Sequence, residues 1–196
     1  MQRLWLLITF PLWLSLAKGW KYFYPFNDRS YVLAIDEGSV KTSGERVCTV
    51  HFFHQKTGSQ TTLWKQELAM QYGQETKKAD FNGDGVADFL ILKGTGARGS
   101  NELYYLFLAN PKAKTLKRVK GFEDLPNPSY HPKYQVVTSY SFAGKNYYSI
   151  YRMGKGNQLI QVGNSFEDSF DSDEKILDSK IAAALKQHKT GTKKSN

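Results

Sequence analysis

From Ser30 to Gly163 the chain sets apolar residues against polar ones in short runs broken by Gly, Pro and Asn. That is the period-two pattern of half-buried strands. "SYVLAIDEG", "ERVCTVHFFHQ" and "QTTLWKQEL" each predict a strand. Lys56-Thr57-Gly58-Ser59 joins the last two as a hairpin with Gly in the turn. The apolar run Phe89–Leu92 predicts a short buried strand. "ELYYLFLAN" predicts another, stopped by Asn110-Pro111, and "KTLKRVKGF" a strand opposite it. Residues 134–163 hold three more, with turns at Ala143-Gly144-Lys145 and Gly154-Lys155-Gly156. Such spacing predicts an all-β, antiparallel domain of about eight strands, sandwich-like on this pattern alone.

The period changes after residue 165. Ile176, Leu177, Ile181, Ala184 and Leu185 recur at helical spacing, and Asp171 with Glu174 supplies a start signal. One C-terminal amphipathic helix is predicted over roughly 172–188, so 166–196 reads as a helix with a basic tail. Residues 18–29, aromatic and irregular, read as a linker or an edge covering. The β domain then occupies 30–165.

Residues 1–17 follow a different pattern. Arg3 precedes an apolar run from Leu4 to Leu16, and Ser15-Leu16-Ala17 offers small residues where a signal peptidase reads. This predicts a signal peptide and a periplasmic or secreted product. The alternative is a membrane anchor, for which the run is short and interrupted by Pro11. No second apolar span follows, so no membrane span is expected after cleavage.

Composition adds three constraints. Aromatic residues make up 14% of the chain, which favours strands. The formal net charge is +9, yet an exported chain has little occasion to meet nucleic acid. The basic run Lys112, Lys114, Lys117, Arg118 and Lys120, and the tail with Lys186, Lys189, Lys193 and Lys194, read either as solvated faces or as contacts for an anionic envelope surface. Cys48 stands alone, so no internal disulfide is possible, and its strand context suggests a buried thiol rather than a nucleophile.

Within this basic chain, "ADFNGDGVADF" concentrates acids. Asp80, Asn82, Asp84 and Asp88 fall at positions 1, 3, 5 and 9 of a calcium-loop pattern. Gly85 occupies position 6, and Val86 would offer its backbone carbonyl at position 7. Position 12 is Ile91 rather than the bidentate Glu of an EF-hand, and a strand follows instead of a helix. The spacing predicts calcium. An Asn-Gly and Asp-Gly turn kept for its left-handed positions is the alternative. A catalytic carboxylate cluster has no support elsewhere. His51, His54, His131 and His188 are scattered, and the chain lacks H-E-x-x-H, G-x-S-x-G and Walker motifs. A non-enzyme is expected.

Asp80–Asp88, the strand Phe89–Leu92, the Gly-rich stretch Gly94–Tyr104, the strand Tyr105–Leu108, Leu125-Pro126-Asn127-Pro128 and the hairpin Tyr134–Arg152 form a series. It resembles the periplasmic lysozyme inhibitors of the I-type class. It also resembles immunity proteins against lysozyme-like effectors of a bacterium-killing type IV secretion system. The resemblance is firm over 79–111 and looser over the rest of 30–163. It implies a propeller-like all-β domain with structural calcium, and a loop that plugs the cleft of a lysozyme-like peptidoglycan hydrolase. The matching positions are Ser100, Asn101 and Tyr104, shaped by Gly94, Gly96 and Gly99 and joined by Arg98. The residues alone leave two readings open: a functional loop longer than a hairpin needs, or an ordinary hairpin with Tyr104 in the core. A calcium-dependent adhesion or carbohydrate-binding module of the integrin-propeller kind is the competing function. Such modules repeat the acidic loop, and this chain has one. Target and oligomeric state are not legible in the sequence.

Overall fold

A computed structural model describes residues 19–192 except residue 74, with side chains through 188. The signal-peptide expectation and the end of the basic tail lie outside the described residues. Three antiparallel sheets follow one another along the chain, and none closes into a barrel. The first contains β1 (Trp20–Phe23), β2 (Tyr31–Asp36), β3 (Ser39–Val40), β4 (Arg46–Lys56) and β5 (Ser59–Met70). The second contains β6 (Thr76–Ala79), β7 (Asp88–Gly96), β8 (Asn101–Asn110) and β9 (Thr115–Val119), in that order. The third contains β10 (Pro128–His131), β11 (Val136–Ala143), β12 (Lys145–Met153), β13 (Leu159–Gln161) and β14 (Phe166–Glu167). Helix α1 (Glu174–Thr192) follows the third sheet.

The second sheet is the middle layer, and strand alternation explains why. Phe89, Ile91, Tyr105, Phe107 and Ala109 point to one face, where they meet Leu33, Ile35, Cys48, Val50, Phe52 and Leu68 of the first sheet. Leu90, Tyr104, Leu106 and Leu108 point to the other face and pack with Val119, Phe122 and Val137. Successive residues of β7 and β8 therefore bury against different neighbours, which turns an alternating strand into a continuous apolar run. The third sheet repeats the device: Val137 faces the middle sheet, while Val136 faces Ile181 and Ala184 of α1.

Several expectations are refined. The strands read from the sequence are all present, and the additional ones are short segments that complete sheet edges. Trp20–Phe23 is no linker: it pairs with β2, and Phe26 just after it is buried in the first core. The edge-covering alternative holds. Helix α1 starts at Glu174, and its cap is Asp173, whose Oδ1 accepts the Lys175 and Ile176 N–H groups, rather than Asp171. Ile176, placed on the apolar stripe by its spacing, remains exposed. Cys48 is fully buried, and burial pushes its thiol up to about 12, which makes it inert as a nucleophile. Among the described residues no helix is long and apolar enough to cross a membrane.

Candidate functional site

Asp80–Asp88 connects β6 to β7 as a loop wound around its own side chains. Asp80 Oδ1 accepts the N–H groups of Asn82 (3.2 Å) and Gly83 (2.7 Å), and its Oδ2 accepts that of Gly85 (2.8 Å). Asn82 Oδ1 accepts from Asp84 N, its Nδ2 donates to Asp84 Oδ2, and Asp84 Oδ1 accepts from Val86 N. Gly83 and Gly85 both have positive φ, 74° and 80°, as a turn this tight requires. A side chain at Gly83 would also collide with the Tyr130 hydroxyl, so the third sheet braces the loop. Val86 packs its side chain against the first core.

Asp88 plays a different part from the other three. It is fully buried. Its Oδ2 accepts the Phe81 N–H (2.8 Å) and its Oδ1 the Ala109 N–H (2.9 Å). It therefore ties both ends of the loop to β8. Burial pushes its carboxyl up to about 6, and the charges of Asp84 and Asp80 push the same way.

Among the described residues no group of three or more His, Cys, Asp or Glu side chains is arranged to hold a metal ion. The donor chemistry nevertheless suits calcium. Every candidate side-chain ligand is a hard oxygen, and the oxygens that accept a single N–H, such as Asp80 Oδ2 and Asp84 Oδ1, keep a second lone pair. The mutual repulsion felt by Asp88 is what a divalent cation beside these carboxylates would reverse. Asp80, Asn82 and Asp84 would hold the ion, with the Val86 carbonyl and with Asp88 as an inner member.

The second candidate region is the turn from β7 to β8. It is shorter than the sequence suggests. The strands stay paired out to Gly96↔Asn101, which leaves Ala97–Ser100 as the tip. All four tip residues are exposed, and Arg98 carries the tip's charge. Three successive residues are left-handed: Ala97 (φ 44°), Arg98 (φ 56°) and Gly99 (φ 96°). Two of them have side chains, so the tip holds conformational strain of roughly 1–2 kcal/mol per residue.

The neighbouring sheet sustains that strain. Asn127 Nδ2 donates to Ser100 O (3.0 Å), Asn101 Oδ1 (3.2 Å) and Tyr140 O (2.9 Å). Asn127 Oδ1 accepts the Glu102 N–H, and the Asn127 N–H donates to Glu102 O. Asn101 makes a reciprocal pair with the Phe142 backbone: its Oδ1 accepts Phe142 N and its Nδ2 donates to Phe142 O. On the other flank Thr95 N donates to Gln71 Oε1, and the Tyr72 and Thr95 hydroxyls lie 3.2 Å apart. The exposed rings of Tyr72 and Phe142 thus belong to segments that brace the tip from both sides.

The structure divides the residues singled out in the sequence. Gly96, Arg98, Gly99, Ser100 and Asn101 belong to the tip or its base. Tyr104 does not. It is 4% exposed and packs in the second core. Its hydroxyl donates to Glu102 Oε2 (2.5 Å) and accepts from Lys77 Nζ, so its expected role as a contact residue is corrected to a core one. The alternation of β8 causes this: Tyr104 and Leu106 share the inward face. Asn127 was the residue that sequence reasoning missed. Its signal was available, since an Asn between Pro126 and Pro128 suits a left-handed turn, and it has φ 43°.

His51 and His54 are ordinary strand residues. His51 Nε2 meets Thr62 Oγ1, and His54 stacks on Tyr31 at 4.4 Å. In the basic run, Arg118 is no free charge, because it pairs with Glu123 and lies 4.7 Å from the centre of the Tyr105 ring. Comparison of the chain with protein-family models, with curated proteins and with solved structures finds no match in any of the three.

Proposed function

We propose that this is an exported, calcium-stabilised protein that inhibits a lysozyme-like peptidoglycan hydrolase by presenting the Gly96–Asn101 tip to the enzyme's active-site cleft. It acts by occlusion and performs no chemistry of its own. The observation that carries the reading is the tip itself: three consecutive left-handed residues, exposed, on a base at Ser100–Glu102 that Asn127 and Asn101 tie to the neighbouring sheet. Rigidifying a binding loop before contact removes an ordering cost from the complex. Strain kept at an exposed site is a mark of function. Arg98 is the residue suited to meet the carboxylates of a glycosidase cleft. Recognition then depends on local charge at the cleft, and the remaining cations lie elsewhere.

The test is inhibition of a panel of muramidases by purified protein, with Arg98→Ala alongside. A central Arg contributes about 2 kcal/mol or more to an interface, so Arg98→Ala should weaken inhibition at least tenfold at an unchanged melting temperature. No inhibition across the panel would refute the reading.

One observation favours the adhesion or carbohydrate-binding alternative. A cleft of about 350 Å3 beside the acidic loop is lined by Asn82, Tyr130, Tyr134, Gln135 and Arg152, a set able to stack on and hydrogen-bond a sugar. Retention on peptidoglycan without inhibition would promote that reading.

A further inference from the structure

The residues after β1 form a second, open cleft of about 420 Å3 between the edge of the first sheet and β6. Tyr22, Phe23, Tyr24, Phe26, Arg29 and Lys78 line it. Its cations rest on rings rather than on carboxylates. The Arg29 guanidinium carbon lies 5.1 Å from the centre of the Tyr24 ring. Lys78 Nζ lies 5.5 Å from Phe23 and 5.2 Å from Phe89. At the rim, Lys114 Nζ lies 5.2 Å from Phe26 and 5.7 Å from Tyr31.

Among the described residues Arg29, Lys78 and Lys114 enter no salt bridge, whereas Lys41, Lys77, Lys93, Arg118, Lys133 and Lys145 each have an acidic partner. An aromatic face positions a cation and strips part of its water without cancelling its charge. Asp28 precedes Arg29 in the chain. Its carboxyl is held below the ordinary range first by hydrogen bonds from Ser30, with Lys114 adding a smaller pull. Asp28 is therefore already engaged, and the cleft keeps an excess of positive charge with aromatic walls.

We infer that this cleft is a binding site for an anionic, phosphate-bearing ligand. A guanidinium and an ammonium group lining one cleft, with a second ammonium beside its Phe26 wall, suit phosphate oxygens, and the rings suit the organic part of a phosphate ester. The same chemistry is displayed by an anionic lipid headgroup and by a soluble phosphate ester. The site gives a use to Arg29, Lys78 and the exposed Tyr24 ring, none of which the inhibitor reading uses.

The experiment is isothermal titration calorimetry of the full chain with pyrophosphate at low ionic strength. Arg29→Gln/Lys78→Gln is compared with the charge-matched control Lys120→Gln/Lys155→Gln, whose lysines are exposed outside the cleft. The site requires pyrophosphate binding that falls at least tenfold in the first variant and less than twofold in the control. Backbone amide shifts of the unmodified chain should centre on Tyr24, Phe26 and Arg29, a readout that holds even if a variant folds poorly. Co-sedimentation with phosphatidylglycerol but not phosphatidylcholine vesicles would support the site with a headgroup as its source. Pyrophosphate binding without co-sedimentation would support it with a soluble source. Absence of both, equal losses in the two double variants, or citrate binding as tight as pyrophosphate would overturn it.

Discussion

Asp88→Ala separates the two uses of acidic residues in this protein. The substitution deletes the acceptor of two buried backbone donors, Phe81 N–H and Ala109 N–H. A buried donor left without a partner costs about 1–3 kcal/mol, so the pair should cost about 2–6 kcal/mol. Removing a carboxylate whose ionisation is disfavoured by burial returns part of this, and a net loss of roughly 2–4 kcal/mol is expected. That is a large share of a domain's typical stability of about 5–15 kcal/mol, yet it leaves a folded protein. The assay is urea unfolding in EDTA, so that metal plays no part. Trp64 is a suitable fluorophore, since it stacks on Phe107 at 5.4 Å, two residues from Ala109. Comparable m-values are required for the midpoints to report stability. Asp88→Asn keeps one carbonyl oxygen and turns an amide towards the other N–H, so it should recover no more than half of the loss. A loss below about 1 kcal/mol for Asp88→Ala, at unchanged m, would refute the assignment of Asp88 as the strut that ties the loop to β8.

Asn127→Ala removes the bonds that fix the tip from the side, and should cost about 2–3 kcal/mol and weaken inhibition. Unaltered inhibition would mean the tip needs no brace. Tyr104→Ala should cost about 3–5 kcal/mol in thermal or urea unfolding, because it hollows the second core, whereas Tyr104→Phe should keep inhibition intact. A stable Tyr104→Ala with lost inhibition would return Tyr104 to the contact surface. Calcium should raise the melting temperature and EDTA lower it, by mass action on the native state. Asp80→Ala should abolish that response, and elemental analysis finding no bound metal would exclude the ion.

The sheet content was legible because alternation survives even where both faces are buried. "ADFLILKG" and "YYLFLA" lose their polar positions but keep their length and punctuation, which distinguishes a central strand from a helix. Short edge strands such as Trp20–Phe23 were harder, since their identity comes from pairing with Leu33–Asp36 and not from their own pattern. The acidic loop was legible as a ligand pattern, but its division of labour was not. Spacing places Asp88 with the other three, and only the packing of β7 against β8 shows that it faces inward. The hairpin misled through its glycines. Gly94 and Gly96 suggested a long irregular loop, yet both lie within β7, and Gly94 sits at a bulge where a side chain would collide with Gln71. The tip's conformation depends on Asn127, which is distant in sequence, so local reading had no access to it.

Strand β7 joins the two regions and holds them apart. Asp88 opens it and Gly96 ends it, which puts the loop and the tip at opposite ends of a nine-residue strand. Such a strand spans roughly 30 Å at about 3.3 Å per residue. Between these ends Phe89, Leu90 and Ile91 are buried against two different sheets, so the strand cannot tilt without disrupting both cores. The tip has separate supports in Asn127, Asn101 and Gln71, none of which touches the acidic loop through the hydrogen bonds found here. A cation at the loop would therefore act on global stability, by holding the entry to β7 and its tie to β8. The conformation of the tip would follow only as far as the whole fold does. Loss of the ion should lower the melting temperature while leaving the affinity of the remaining folded protein for its target nearly unchanged.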